Sequence, residues 1–107
     1  MTKKLTKREL ATHLKTIGTA WDVSSDGTLL VRTFTFSRFI EAFMFVARIG
    51  IHAEVLQQYP RIVLDRHKVV LTLSDFDREL LTINNFELAH KIDVIFALST
   101  STARRRM

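Results

Sequence analysis

The sequence predicts an α+β fold in the order α-β-β-α-β-β-α, a four-stranded antiparallel sheet with its helices packed on one face. Three observations carry this reading: a helix-start signature near the N-terminus, two short β-branched pairs each folded about a turn, and two later stretches whose apolar residues recur at three- and four-residue intervals. At 107 residues the chain can bury one core and is too short for two. It is therefore read as a single domain over 1–107, with a core over about 5–98 and a basic tail over 99–107.

The first helix is expected to begin at about Thr6. In Leu5-Thr6-Lys7-Arg8-Glu9-Leu10 the Thr6 hydroxyl can accept from the Glu9 amide while Glu9 reaches back, and Leu5 can staple onto Leu10. Leu10, Leu14 and Ile17 then share a face, and Gly18 is its stop. Trp21-Asp22-Val23 and Leu29 to Phe36 flank Asp26-Gly27, a dipeptide that tolerates positive φ, and predict a hairpin. Alternation places Leu30, Arg32 and Phe34 on one face of its second strand and Val31, Thr33 and Thr35 on the other. Ser37 is the expected cap of a second helix, whose buried stripe reads as Phe39, Ile40, Phe43, Val46, Ala47 and Ile51, with Glu41 and Arg48 on the wetter side. Arg61 to Leu64 and Lys68 to Leu73 around Asp65-Arg66-His67 predict a second hairpin. Thr82 can cap a last helix with a Phe86, Ala89, Ile92, Phe96 stripe, ending at Ser99-Thr100-Ser101-Thr102.

Composition narrows the function. An apolar content of 47 % with eight phenylalanines describes an ordered globular chain. The absence of cysteine removes disulfide and thiol chemistry. The start MTKKLTKREL lacks an apolar h-region and every later apolar run is interrupted by charge, so neither a signal peptide nor a membrane span is expected, and a cytoplasmic location is the default. The net charge of +5 comes from Lys3, Lys4, Lys7 and Arg8 at one end and Arg104, Arg105 and Arg106 at the other. Basic ends on a near-neutral body do not make the stripe of cations and exposed aromatics that nucleic acid requires; they read first as solvated ends that keep the chain soluble, with docking onto an acidic protein surface as the sharper alternative. No metal is expected, because His13, His52, His67 and His90 are dispersed without ligand spacing. Asp75 and Asp77 read as solvated loop acids, and Gly18, Gly27 and Gly50 make no phosphate loop.

RTFTFSRFIEAFMFVARIGIHAE, with Phe34, Phe36, Phe39, Phe43 and Phe45 and the Ala53-Glu54 pair, resembles the strand and long helix of the pterin-4a-carbinolamine dehydratases. Trp21, KVVLTLS and the phase of TINNFELAHKI extend the resemblance from about Leu5 to Phe96. It implies a dehydratase-like fold and, in active members, acid/base groups from a His-His-Pro segment, a later histidine and an aspartate opening the final helix. Matched residue by residue, these positions hold Gln58, Tyr59 and Pro60, then Phe76, then Asn85, while a tryptophan after the proline is Ile62. Loss of water from a hydroxylated pterin needs side chains that exchange protons near neutrality. Glutamine, asparagine and phenylalanine cannot, and tyrosine, with a pKa near ~10, is a poor base.

The expectation is thus a chain without catalytic residues or cofactor, whose degenerate pocket is Gln58, Tyr59, Pro60, Phe76 and Asn85. Ile62 and Phe76 are expected to close the vacated pocket as extra core, and Tyr59, Arg61 and Ile62 are the partner-binding candidates. The chain is similar to a degenerate branch of the family that assembles RuBisCO beside α-carboxysomes. That likeness implies a chaperone for the RuBisCO large subunit, a homodimer or higher homo-oligomer joined through sheet edges or helices, and a cytoplasmic or carboxysome-associated place. The alternatives from other classes are an active dehydratase in tetrahydrobiopterin recycling and a dimeric transcription-factor adaptor.

Overall fold

A computed structural model describes residues 5–17 and 20–105, with the backbone alone for 100–105. The expected order is observed: α1 (Lys7–Leu14), β1 (Asp22–Val23), β2 (Leu30–Thr35), α2 (Phe39–Leu56), β3 (Arg61–Asp65), β4 (Lys68–Leu73) and α3 (Ile83–Arg105). The strands form one antiparallel sheet in the order β1-β2-β4-β3, so the two hairpins meet through the central pair β2 and β4, in register from Leu30↔Leu73 to Thr35↔Lys68.

Local chemistry explains most element ends. Thr6 caps α1 with the reciprocal pair predicted: Glu9 N donates to Thr6 Oγ1 at 3.1 Å, and Thr6 N to Glu9 Oε1 at 2.9 Å. That helix ends at Leu14, earlier than Ile17, which is nonetheless buried; the predicted stop Gly18 lies outside the described residues, as do Lys3 and Lys4. Gly27 takes φ +74 in the first hairpin turn, where Asp26 accepts from Ser24 and Thr28. Arg66 supplies the left-handed residue of the second hairpin, at φ 54.

Two boundaries differ from expectation. The cap of α2 is Arg38, not Ser37, because Glu41 one turn in accepts from the Arg38 amide at 3.0 Å. And α3 continues through Ser99–Thr102 to Arg105. Ser99 Oγ donates back to the Ile95 carbonyl at 2.8 Å, which satisfies the hydroxyl inside the helix and removes its helix-ending alternative. The side chains of Arg104, Arg105 and Arg106 are outside the described set.

The core lies between the sheet and α2 and α3. Leu30 and Phe34 of β2 and Val69, Leu71 and Leu73 of β4 face Phe45, Ile49, Leu88, Ala89 and Ile92. Arg32 shares that inner face, as alternation required. Its charge is held by Asp93 of α3 at 2.6 Å and by the Phe34 ring beneath its guanidinium at 4.3 Å, while the Trp21 indole donates to the same Asp93 oxygen at 2.7 Å.

The stripe predicted for α2 is the wrong face. Ala42, Phe45, Ile49 and Ala53 point to the sheet, whereas Phe39, Ile40, Phe43 and Ile51 are exposed, and Ala47 with them; Val46 lies at the flank, half-buried. The helix is apolar nearly all round, so helical periodicity is satisfied on two sides and cannot say which one the sheet receives.

Candidate functional site

The end of α2 sets the site. Gln57 adopts the left-handed conformation at φ 55, and Gln58 N closes the turn onto the Ala53 carbonyl at 3.0 Å. The chain reverses there and Pro60, in a trans peptide, feeds β3. Gln58 is thereby turned toward the start of α3, where Asn85 is 2 % exposed.

Asn85 organises this region. Its Oδ1 accepts from Thr82 N at 2.9 Å and Thr82 Oγ1 at 3.3 Å, closing the first turn of α3, and its Nδ2 donates to Gln58 Oε1 at 3.0 Å. The two residues expected to mark a vacated pocket are therefore in direct contact and satisfy one another. The pair is neutral and offers no proton to give or take near pH 7.

Tyr59 points the other way, 60 % exposed, and donates to Glu54 Oε2 at 2.8 Å. The hydrogen bond to Glu54, above all, holds the phenol above its ordinary pKa of 10.0, which leaves still less phenolate at neutrality to take up a proton. Because Tyr59 is the only tyrosine, its ionisation can be followed by ultraviolet absorbance alone. Glu54→Gln should move the midpoint down toward the ordinary value; an unchanged midpoint would show that Glu54 does not hold it.

Phe76 and Arg61 form a second cluster. The Arg61 guanidinium lies over the Phe76 ring at 4.3 Å. Together with Asp26, Thr28, Leu29, Ser74 and Glu79 they line a solvent-open cleft of about 270 Å³. Hydrogen bonds hold Asp26 there below the usual carboxylate range, chiefly those from Ser24 and Thr28. Ser74 ties the cleft floor together by donating to the Thr28 and Leu80 carbonyls at 2.7 and 3.2 Å.

Two expectations need correction here. Phe76 does not close the pocket as core: it is half-buried, outside the packed cluster, and covered by Arg61, because the chain leaves β4 at Leu73 and carries Phe76 into the turn closed between Asp75 and Leu80. Asp75 is not a free loop acid; its carboxylate accepts from Arg78 N at 3.1 Å and its backbone pairs with Leu80. Ile62 does pack against the core, while Arg61 and Tyr59 remain exposed. Sequence reasoning missed Glu54 as the partner of Tyr59 and the cleft residues Thr28, Ser74 and Glu79, since hairpin turns bring them together across the sheet.

Among the described residues no three His, Asp or Glu converge on a metal position, and His13 stacks on Phe86 at 5.4 Å between centroids. No helix among them is long and apolar enough to cross a membrane.

Comparisons with known proteins bear on the family and the fold. The profile of the family described as pterin 4 alpha carbinolamine dehydratase matches residues 3–95. A Rhizobium meliloti protein provisionally named a pterin-4-alpha-carbinolamine dehydratase is 36 % identical, covering 85 % of this chain and 86 % of its own. Among solved structures, a transcriptional coactivator/pterin dehydratase from Brucella melitensis superposes with a TM-score of 0.80 at 26 % identity, over 87 % of this chain and 98 % of that one. A pterin dehydratase-like protein identified as a RuBisCO assembly factor in the alpha-carboxysome superposes with a TM-score of 0.62 at 18 % identity, over 72 % and 89 %.

Proposed function

The chain belongs to the pterin 4 alpha carbinolamine dehydratase family, and from that membership we propose that it is a non-catalytic member acting as an assembly chaperone for RuBisCO in α-carboxysome carbon fixation. The observation that carries the non-catalytic half is the Asn85–Gln58 contact. Where acid/base groups would have to exchange protons, two amides are hydrogen-bonded to each other, and Tyr59 is tied to Glu54 with its proton held more tightly. A fold kept while its proton-transfer groups are replaced is free to be used as a surface.

The partner half is supported by the likeness to the solved RuBisCO assembly factor and by what is exposed at the rim. The RuBisCO large subunit is the proposed partner, met by Tyr59 and Arg61 with Arg66 and Lys68 on the same hairpin. No cofactor or nucleic acid takes part, and the protein works in the cytoplasm or beside the carboxysome. An exposed tyrosine next to a guanidinium stacked on a ring is the type of group that anchors an interface. Basic rim residues would steer an acidic surface, so added salt should slow association more than it speeds release.

Co-expression with RuBisCO subunits tests the reading. The expected result is a higher yield of assembled enzyme and a captured complex, with Tyr59→Ala weakening binding by about 1–3 kcal/mol while the fold survives. Equal yields with and without the protein, and no complex, would overturn it. A transcription-factor adaptor is the second reading, favoured by the Brucella coactivator/dehydratase; capture of a transcription factor without effect on RuBisCO yield would select it.

A further inference from the structure

The cleft between the first hairpin turn and the start of β3 carries charges of both signs that leave one another unpaired. Arg61 stands over the Phe76 ring at 4.3 Å, and among the described residues its guanidinium meets no carboxylate. Two carboxylates nonetheless line the same cleft. Asp26 takes all its donors on one oxygen: Oδ1 accepts from Ser24 Oγ at 2.7 Å, Thr28 N at 3.1 Å and Thr28 Oγ1 at 2.7 Å, and Oδ2 accepts from none. The Glu79 carboxylate has no donor among the described residues.

Each of the three groups is held apart by its own support. Arg61 is stacked on Phe76, and Asp26 is tied down by its turn. Glu79 takes the left-handed conformation at φ 57 in a turn that its own amide closes onto the Asp75 carbonyl at 2.8 Å. Opposite charges fixed on separate walls of one cleft are complementary to a molecule that carries both.

The charge balance narrows that molecule. Two carboxylates against one guanidinium leave the walls one negative charge in excess. A ligand that satisfies every group therefore bears two cations and one carboxylate, the charge set of a basic α-amino acid. The volume of about 270 Å³ falls just below the roughly 300–1,000 Å³ of sites for drug-sized molecules and suits a single residue. We propose that this cleft binds a free basic amino acid, its carboxylate on Arg61 and its two cationic ends on Asp26 and Glu79. A guanidinium is the donor best shaped for a carboxylate, and Leu29 lines the cleft for the methylene stem. The Tyr59–Glu54 pair takes no part, and the inference stands whether or not RuBisCO is the partner.

Backbone amide NMR of the full chain, titrated with arginine at neutral pH and low salt, makes the test. Shifts are expected at Thr28, Arg61, Phe76 and Glu79, half-saturating at about 1 mM, as suits a few screened ion pairs in an open cleft, and shrinking as salt is added. Agmatine lacks the carboxylate, and N-acetylarginine lacks the α-ammonium and stands for the C-terminal residue of a polypeptide. Each should bind about three- to fivefold more weakly than arginine, the loss of one such pair. Arg61→Gln should erase the preference for arginine over agmatine, whereas Glu79→Gln should weaken both alike. Both side chains are exposed, so the variants keep the fold, which the same spectra report. No shift at ten times the expected concentration, or glutamate moving these amides as far as arginine does, overturns the proposal. So does an Arg61→Gln variant that still prefers arginine to agmatine, and N-acetylarginine binding as tightly as arginine would replace the free amino acid by a polypeptide C-terminus.

Discussion

Dehydration of a pterin carbinolamine should run about 10²–10⁴-fold slower with this chain than with a relative that keeps its His-His-Pro segment, the range that positioned acid/base groups contribute. The direct check is a side-by-side assay at equal protein concentration. A wild-type rate near that of the intact relative would refute the non-catalytic reading. The converse experiment has structure in it as well. Asn85→Asp alone would put a carboxylate into a site that is 2 % exposed, keep the Thr82 donors at the start of α3, and oblige Gln58 to turn its amide over so that Nε2 donates where Oε1 now accepts. Burying the charge with only that neutral donor beside it should destabilise the fold by about 1–3 kcal/mol. Adding Gln58→His supplies a donor to that carboxylate, so the double variant should recover part of the loss, a coupling that a double-mutant cycle reads directly. Further restoration of histidine at Tyr59 and Phe76 should then raise activity from the background. Histidine at position 76 must compete with the Arg61 stack for its orientation.

Phe34→Ala should lower stability by about 3–5 kcal/mol, a large share of the roughly 5–15 kcal/mol available to a domain of this type. The ring is 1 % exposed, with Phe45, Phe96 and Trp21 at 4.9, 5.0 and 6.1 Å between centroids. It also underlies the Arg32 guanidinium, so its removal opens a cavity and strips one face from a half-buried charge. Denaturant unfolding gives the measurement. Phe39→Ala is the control on the same residue type: Phe39 is 55 % exposed, and in a monomeric background its loss should stay below about 1 kcal/mol. Equal losses at the two positions would mean that the core has been placed on the wrong face of α2.

Some of this molecule is written locally and was legible in order. The α1 cap needs only Thr6 and Glu9 three residues apart, the first hairpin turn needs only Gly27 with positive φ, and alternation alone placed Leu30, Arg32 and Phe34 on one side of β2. The exchanged residues Gln58, Tyr59, Phe76 and Asn85 were equally visible, because side-chain chemistry does not depend on the fold. What they touch does. The Asn85–Gln58 bond spans 27 positions and the Arg32–Asp93 bond 61, and only the packing of α3 beside the end of α2 and across β2 brings them together. The same holds for α2 itself. Its two apolar faces satisfy one helical period equally well, and it is the larger surface of the sheet, through Phe34, Val69 and Leu71, that takes the Phe45–Ile49 side and leaves Phe43, Ala47 and Gly50 to the outside.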